Sequence, residues 1–278
     1  MYRRSSLPPK LANPRLPPTD PMMSKLPADR GDSAPSAPVV QPPAVAAPSQ
    51  PARELVDHRG GSAPASCFAE RRRRVAERMD PVSAIVLPGG VVQHSSRDSE
   101  YPFRPDSELY WATGIEEPEA VAVLLRRGAE LEWQLFARER DETAELWTGP
   151  REAPQALAER LGAARGRGLS ELPSALAELL AEVDTIYFRL GAHPRIESHI
   201  IEALQRARAR GAREGTGPRR VVDPGELLDD LRMIKDAHEI ERIRAAADLT
   251  LRGFEAGLAE VRAGAGEWQV QAALEAAF

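Results

Sequence analysis

Side chains able to perform chemistry are few in this 278-residue sequence, and spacing decides what each could do. Asp98 and Glu100 stand two apart, so on an extended segment they share a face and could offer oxygen donors to a hard cation. Arg97 and Arg104 flank them, and ion pairing satisfies both carboxylates more simply than a metal does. His193 and His199 lie six apart with Pro194 between them, which is not the i, i+4 spacing of a helical metal clamp. A packing or surface role suits them better. His94 and His238 are isolated, and His58 sits in a proline-rich tail. The single cysteine, Cys67, excludes an internal disulfide and a cysteine-rich zinc site. No glycine-rich phosphate loop, GxSxG elbow or paired Cys/His arrangement occurs. These residues supply neither a catalytic constellation nor a metal site.

The elements that would position them are organised around residues 97–114. Pro102 and Pro105 fix their own φ and push Tyr101 and Arg104 towards extended backbone, which predicts a stiff connector. Asp106 or Ser107 then caps a short helix carrying Leu109, Tyr110 and Trp111, and Gly114 supplies its left-handed stop. Tyr110 and Trp111 read as core. Val82 to Leu87, Ala120 to Leu125, Trp133 to Ala137 and Thr185 to Leu190 read as strands, the middle two as an antiparallel hairpin with a longer loop. Helices follow at Ala153 to Leu161, Pro173 to Val183 and Arg195 to Arg210. Upstream, Phe68, Val75 and Met79 share a helical face, and the run Arg71 to Arg74 reads as the solvated remainder of that helix. The alternation predicts an α/β domain with a mixed sheet.

After Asp223-Pro224 the pattern is helical throughout. Asp236 and Glu239 have capping-box spacing. Behind them Ile240, Ile243, Ala247, Leu251, Phe254, Leu258 and Val261 step by three or four, a long apolar stripe. Gly264 and Gly266 break it before a last helix from Glu267 to Phe278. A stripe of that length left bare exceeds what a soluble monomer tolerates.

Composition narrows the function classes. A net charge of −5 gives no support for a nucleic-acid partner, and no apolar run reaches membrane-spanning length. Residues 1–66 hold fourteen of the 25 prolines and one aromatic, Tyr2, so they read as a disordered Pro/Ala-rich tail. Arg3-Arg4 is followed by Pro8 and Pro9 where an export signal needs an apolar core, and a cytoplasmic location is the default.

The strip from Asp98 to Gly114, with Glu117-Pro118-Glu119-Ala120 and the run from Arg140 to Gly149, resembles the amino-terminal domain of aminopeptidase P. These are the Xaa-Pro aminopeptidases, relatives of prolidase and creatinase. The resemblance implies a creatinase/aminopeptidase P-like mixed-sheet domain over residues 67–222. It implies that residues 223–278 are the opening helices of a pita-bread metallopeptidase domain, here truncated. It further implies proline-containing peptides as substrates, a homo-oligomer, and two metal ions, usually manganese. No position of this chain matches the family's five metal ligands, so no catalytic or metal residue is assigned, and the chain alone is expected to be inactive. Trp147, in its Leu146-Trp147-Thr148-Gly149 context, matches a tryptophan that the oligomer brings near a neighbouring subunit's cleft; a core or hinge role is the alternative. A non-catalytic module acting in oligomer assembly is the alternative function.

Overall fold

Neighbouring apolar runs without polar alternation force a sheet to be covered on both faces, and the strands here obey that rule. The computed structural model describes residues 65–210 and 217–278; the tail through residue 64, with His58, lies outside the described residues. Strands β1 (Val82–Pro88), β2 (Val121–Arg127), β3 (Glu130–Ala137), β4 (Arg165–Gly168), β5 (Thr185–Tyr187) and β6 (Arg220–Val222) form one sheet in the order β4-β3-β2-β1-β5-β6. The pairs β1–β2 and β2–β3 are antiparallel, whereas β3–β4, β1–β5 and β5–β6 are parallel. The sheet is therefore mixed, as the α/β alternation predicts.

Helices α1 (Ala65–Arg78), α2 (Ser107–Thr113), α4 (Pro154–Leu161) and α7 (Gly225–Met233) share a core with Ile85, Leu87, Leu124 and Leu135 on one face. Between α2 and α4 in the chain lies α3 (Glu142–Thr148), which joins neither core. On the opposite face α5 (Leu172–Leu179) and α6 (Pro194–Arg210) pack on Ala84, Val86, Val123 and Phe136. Burying each aliphatic or aromatic side chain of this kind contributes about 1.5–3 kcal/mol, so the two clusters carry most of the stability. Leu227, Leu228 and Leu231 of α7 belong to the first core, although the sequence places that segment with the later helices.

Several elements differ from the sequence reading. The β2–β3 loop is a tight Gly128-Ala129 turn rather than a longer one, because Gly128 adopts φ +64° and lets the ladder run from Arg127 paired with Glu130. Strand β5 ends at Tyr187, short of Leu190, which is exposed. Strand β4, Arg-Gly-Arg-Gly, has no strand propensity and exists because β3 offers it an edge beneath α4. A Cβ on Gly166 would lie 2.0 Å from the Pro154 carbonyl oxygen at the start of α4. Gly166→Ala is expected to cost about 3 kcal/mol in urea unfolding, because the obstructing atoms are the Pro154 backbone and the Ala158 methyl, and neither can rotate away.

Past the core, α8 (Ala237–Glu260) and α9 (Glu267–Ala277) form a helical pair. Gly253 and Gly257 on α8 leave room for the Phe278 ring and the Leu274 side chain. The stripe from Ile240 to Val261 faces outward, with its large residues between 39 and 68% exposed. No helix among the described residues is long and apolar enough to cross a membrane.

Candidate functional site

Trp147 stands on an arm between β3 and α4. Asp141 caps α3, its Oδ1 accepting from the N–H groups of Thr143 (2.9 Å) and Ala144 (3.2 Å). Gly149 stops the helix at φ +81°, its N–H donating to the Glu145 carbonyl at 3.0 Å. Arg140 donates in fork geometry to both Glu145 oxygens, at 3.0 and 2.9 Å. That hydrogen-bonded guanidinium holds the Glu145 carboxyl below its usual range. At the base, Glu139 Oε1 accepts from the Ser170 hydroxyl (2.6 Å) and N–H (3.2 Å). Glu117 bridges Arg138 and Arg151 at 3.7 and 3.8 Å. Local polar contacts thus fix the arm, and no residue of α3 is buried. Leu146 and Trp147 are 83% and 89% exposed. Tryptophan, exposed here on a capped helix, is among the residue types most enriched at contact hot spots. It offers a flat apolar wall and no proton-transfer group.

The second built feature is the junction where α8 meets α1 and α2. The arginine run does not form a solvated face. Arg71 and Arg72 are buried, 4% and 5% exposed, while Arg73 lies in solvent. The signal was present in the spacing: both lie three or four residues from Phe68 and from Val75, on the apolar face itself. Arg71 donates to Asp236 Oδ2 (3.1 and 2.8 Å) and to the Trp111 carbonyl (3.2 Å), and its guanidinium lies 5.4 Å from both the Phe68 and Trp111 ring centres. Arg72 donates to the Ala112 carbonyl (3.1 Å) and stacks 4.6 Å from the Trp133 ring. Burial pushes its pKa down to about 10.

The capping box supplies the acidic half. Asp236 Oδ1 accepts from the Glu239 N–H and Glu239 Oε2 accepts from the Asp236 N–H, both at 2.8 Å. The other oxygen of each carboxylate reaches back: Asp236 to Arg71, and Glu239 Oε1 to the Trp111 indole N–H at 3.0 Å. All four oxygens are occupied. Trp111 is buried as the sequence predicts, while Tyr110 is half-buried with its ring edge-on to Phe68 at 5.9 Å.

Partial burial pushes the Asp236 carboxyl up, but the Glu239 N–H and the Arg71 guanidinium outweigh it and hold it below its usual 3.8. A depressed carboxylate stabilises the fold above its unfolded pKa, and that contribution is lost as pH falls through the folded value. Acid titration followed by tryptophan fluorescence should therefore show this junction intact at pH 4 and loosening only below about 3.8. Asp236→Asn should remove that step.

The remaining candidates do not converge. Asp98 and Glu100 are exposed, and neither forms the ion pair expected with Arg97 or Arg104. Backbone bonding holds their loop instead, with the Tyr101 N–H donating to the Gln93 carbonyl at 2.9 Å. His193 precedes α6 and His199 lies within it, its Nδ1 buried without a partner. Among the described residues no three His, Cys, Asp or Glu side chains cluster as a metal site. The donors among the described residues do not fit a dinuclear manganese centre.

The family described as aminopeptidase P, N-terminal domain, matches residues 68–187, the span that includes the buried arginines, α2 and the Trp147 arm. The chain carries an aminopeptidase P N-terminal domain. It is similar to the Xaa-Pro aminopeptidase of Escherichia coli K12, 31% identical over 212 residues, covering 76% of this chain and 48% of that protein. The solved low-pH form of E. coli aminopeptidase P superposes with a TM-score of 0.74 at 30% identity, over 78% of this chain and 50% of that one. A zinc-substituted E. coli aminopeptidase P in complex with product superposes with a TM-score of 0.73 at 30% identity, over the same shares. The chain thus spans about half the length of these aminopeptidase P relatives.

Proposed function

We propose that this chain acts as the amino-terminal part of an Xaa-Pro aminopeptidase, shaping a peptide site that a metal-bearing pita-bread domain completes. Residues 67–222 form the amino-terminal domain in this reading, and residues 223–278 open the second. Trp147 is the observation that carries it. A tryptophan held rigid by capped backbone and left 89% exposed suits the pyrrolidine ring of a proline-containing peptide, which packs on a flat face and asks for no hydrogen bond. In a cytoplasmic homo-oligomer the arm reaches a neighbouring subunit's cleft. The exposed stripe of α8 packs against the remainder of the second domain, which holds two manganese ions; no residue of this chain is assigned to them.

Two measurements test this. The purified chain with manganese should show no chelator-sensitive cleavage of an Xaa-Pro peptide, and clear turnover would contradict the division of labour. In a chimera joining this chain to the second half of the E. coli enzyme, manganese-dependent cleavage should appear. Trp147→Ala should then lower kcat/KM about tenfold, with Tm unchanged. A lowered Tm with kcat/KM retained would instead make Trp147 structural.

A further inference from the structure

The adjacent parallel strands β1 and β5 send their chains to opposite faces of the sheet. After β1 the chain reaches α2, whose Leu109 and Trp111 join the first core; after β5 it reaches α6, whose Ile196 and Ile200 join the other. Where neighbouring connections diverge in this way, the carboxyl ends of the strands leave a crevice, and open α/β sheets bind ligands there. This sheet has such a cavity, of about 350 Å³, between Pro88–Val91 on the β1 side and Ala192–Ile196 on the β5 side. Its walls are mostly apolar, with Val91, Val121, Leu169 and Ile196, while Gln93, His193, Glu119 and Arg195 supply its polar lining.

Glu119 is the one non-glycine residue with positive φ, at +62°, among the described residues. Its N–H donates to the Gly90 carbonyl at 2.8 Å, and its carboxylate pairs with Arg195 at 3.0 Å. Holding glutamate where glycine or asparagine would be relaxed costs backbone energy, and such strain gathers at ligand sites. The pair is accessible, with side chains 32% and 61% exposed, so both charges remain open to a further partner. A mostly apolar slot beside one anion and one cation is complementary to a molecule with an apolar side chain and both charges. The volume sits at the small end of ligand pockets, which suits a dipeptide rather than a longer chain.

We propose that this crevice binds a short zwitterionic aliphatic peptide, with its side chain in the slot, its ammonium on Glu119 and its carboxylate on Arg195. The site lies outside the Trp147 arm and does not depend on the aminopeptidase reading. Calorimetric titration of the full chain with leucyl-alanine should saturate with Kd of about 1 mM. N-acetyl-leucyl-alanine and leucyl-alaninamide, each lacking one charge, should bind about fivefold more weakly. Glu119→Gln should erase the discrimination against the acetylated peptide, and Arg195→Gln that against the amide. Val91→Trp, at an exposed position, should fill the slot and abolish binding. No saturation up to about 10 mM, or equal binding of the blocked peptides, would overturn the proposal. So would a Glu119→Gln variant that lowers Tm yet titrates as the parent does, since the pair would then only join β2 to α6.

Discussion

Arg71→Met is expected to lower the unfolding free energy by about 2–3 kcal/mol, because the guanidinium is buried while the Asp236 carboxylate it pairs with is about one-third exposed. The methionine keeps most of the aliphatic stem, so the loss isolates the guanidinium. Without it the Asp236 carboxylate and the Trp111 carbonyl lose their donor, and the Phe68 and Trp111 rings lose the cation beside them. Urea unfolding followed by fluorescence measures the change. Asp236→Asn keeps the cap oxygen while removing the charge, so the double variant should be less destabilised than the sum of the two singles. Strict additivity would mean that α8 is attached to α1 through other contacts.

Gly114→Ala should cost about 3 kcal/mol, from two sources acting at one atom. Gly114 ends α2 at φ +74°, which any Cβ opposes, and that Cβ would lie 2.5 Å from a Phe68 ring carbon. Phe68 is fully buried and cannot give way without disturbing Arg71 and Tyr110. Gly128→Ala provides the control. It has the same sign of φ, +64°, but nothing within 4 Å of the added carbon, so about 1 kcal/mol is expected. Equal costs at both glycines would remove the steric part of the argument.

Local chemistry explains what was legible beforehand. The Asp106 and Asp236 caps, the Gly114 stop and the three long strands declare themselves in short windows, because each depends on residues within a turn or a hairpin. What escaped depends on partners far along the chain. Strand β4 exists only because β3 is there to pair with it, and β6 because β5 is. The burial of Arg71 and Arg72 is set by Trp111, Trp133 and Asp236, at separations a window of sequence does not span. Of the candidate site, Trp147 is singled out by its Leu146-Trp147-Thr148-Gly149 context, but its exposure could not be read there. That exposure follows from Arg140 closing on Glu145 and from Ser170 holding Glu139 across the arm's base. The paired carboxylates Asp98 and Glu100 show the opposite failure, a pattern of charges that the backbone leaves in solvent.

Both margins of the sheet are stunted. At one side β4 is four residues with arginine at alternate positions, and at the other β6 is three residues beginning with arginine. Unpaired strand borders invite docking by foreign strands and fibrillar growth, and brevity with positive charge discourages both. Edge-to-edge pairing is therefore disfavoured, and concentrated solutions should fail, when they do, by amorphous clumping through the exposed α8 stripe rather than by amyloid.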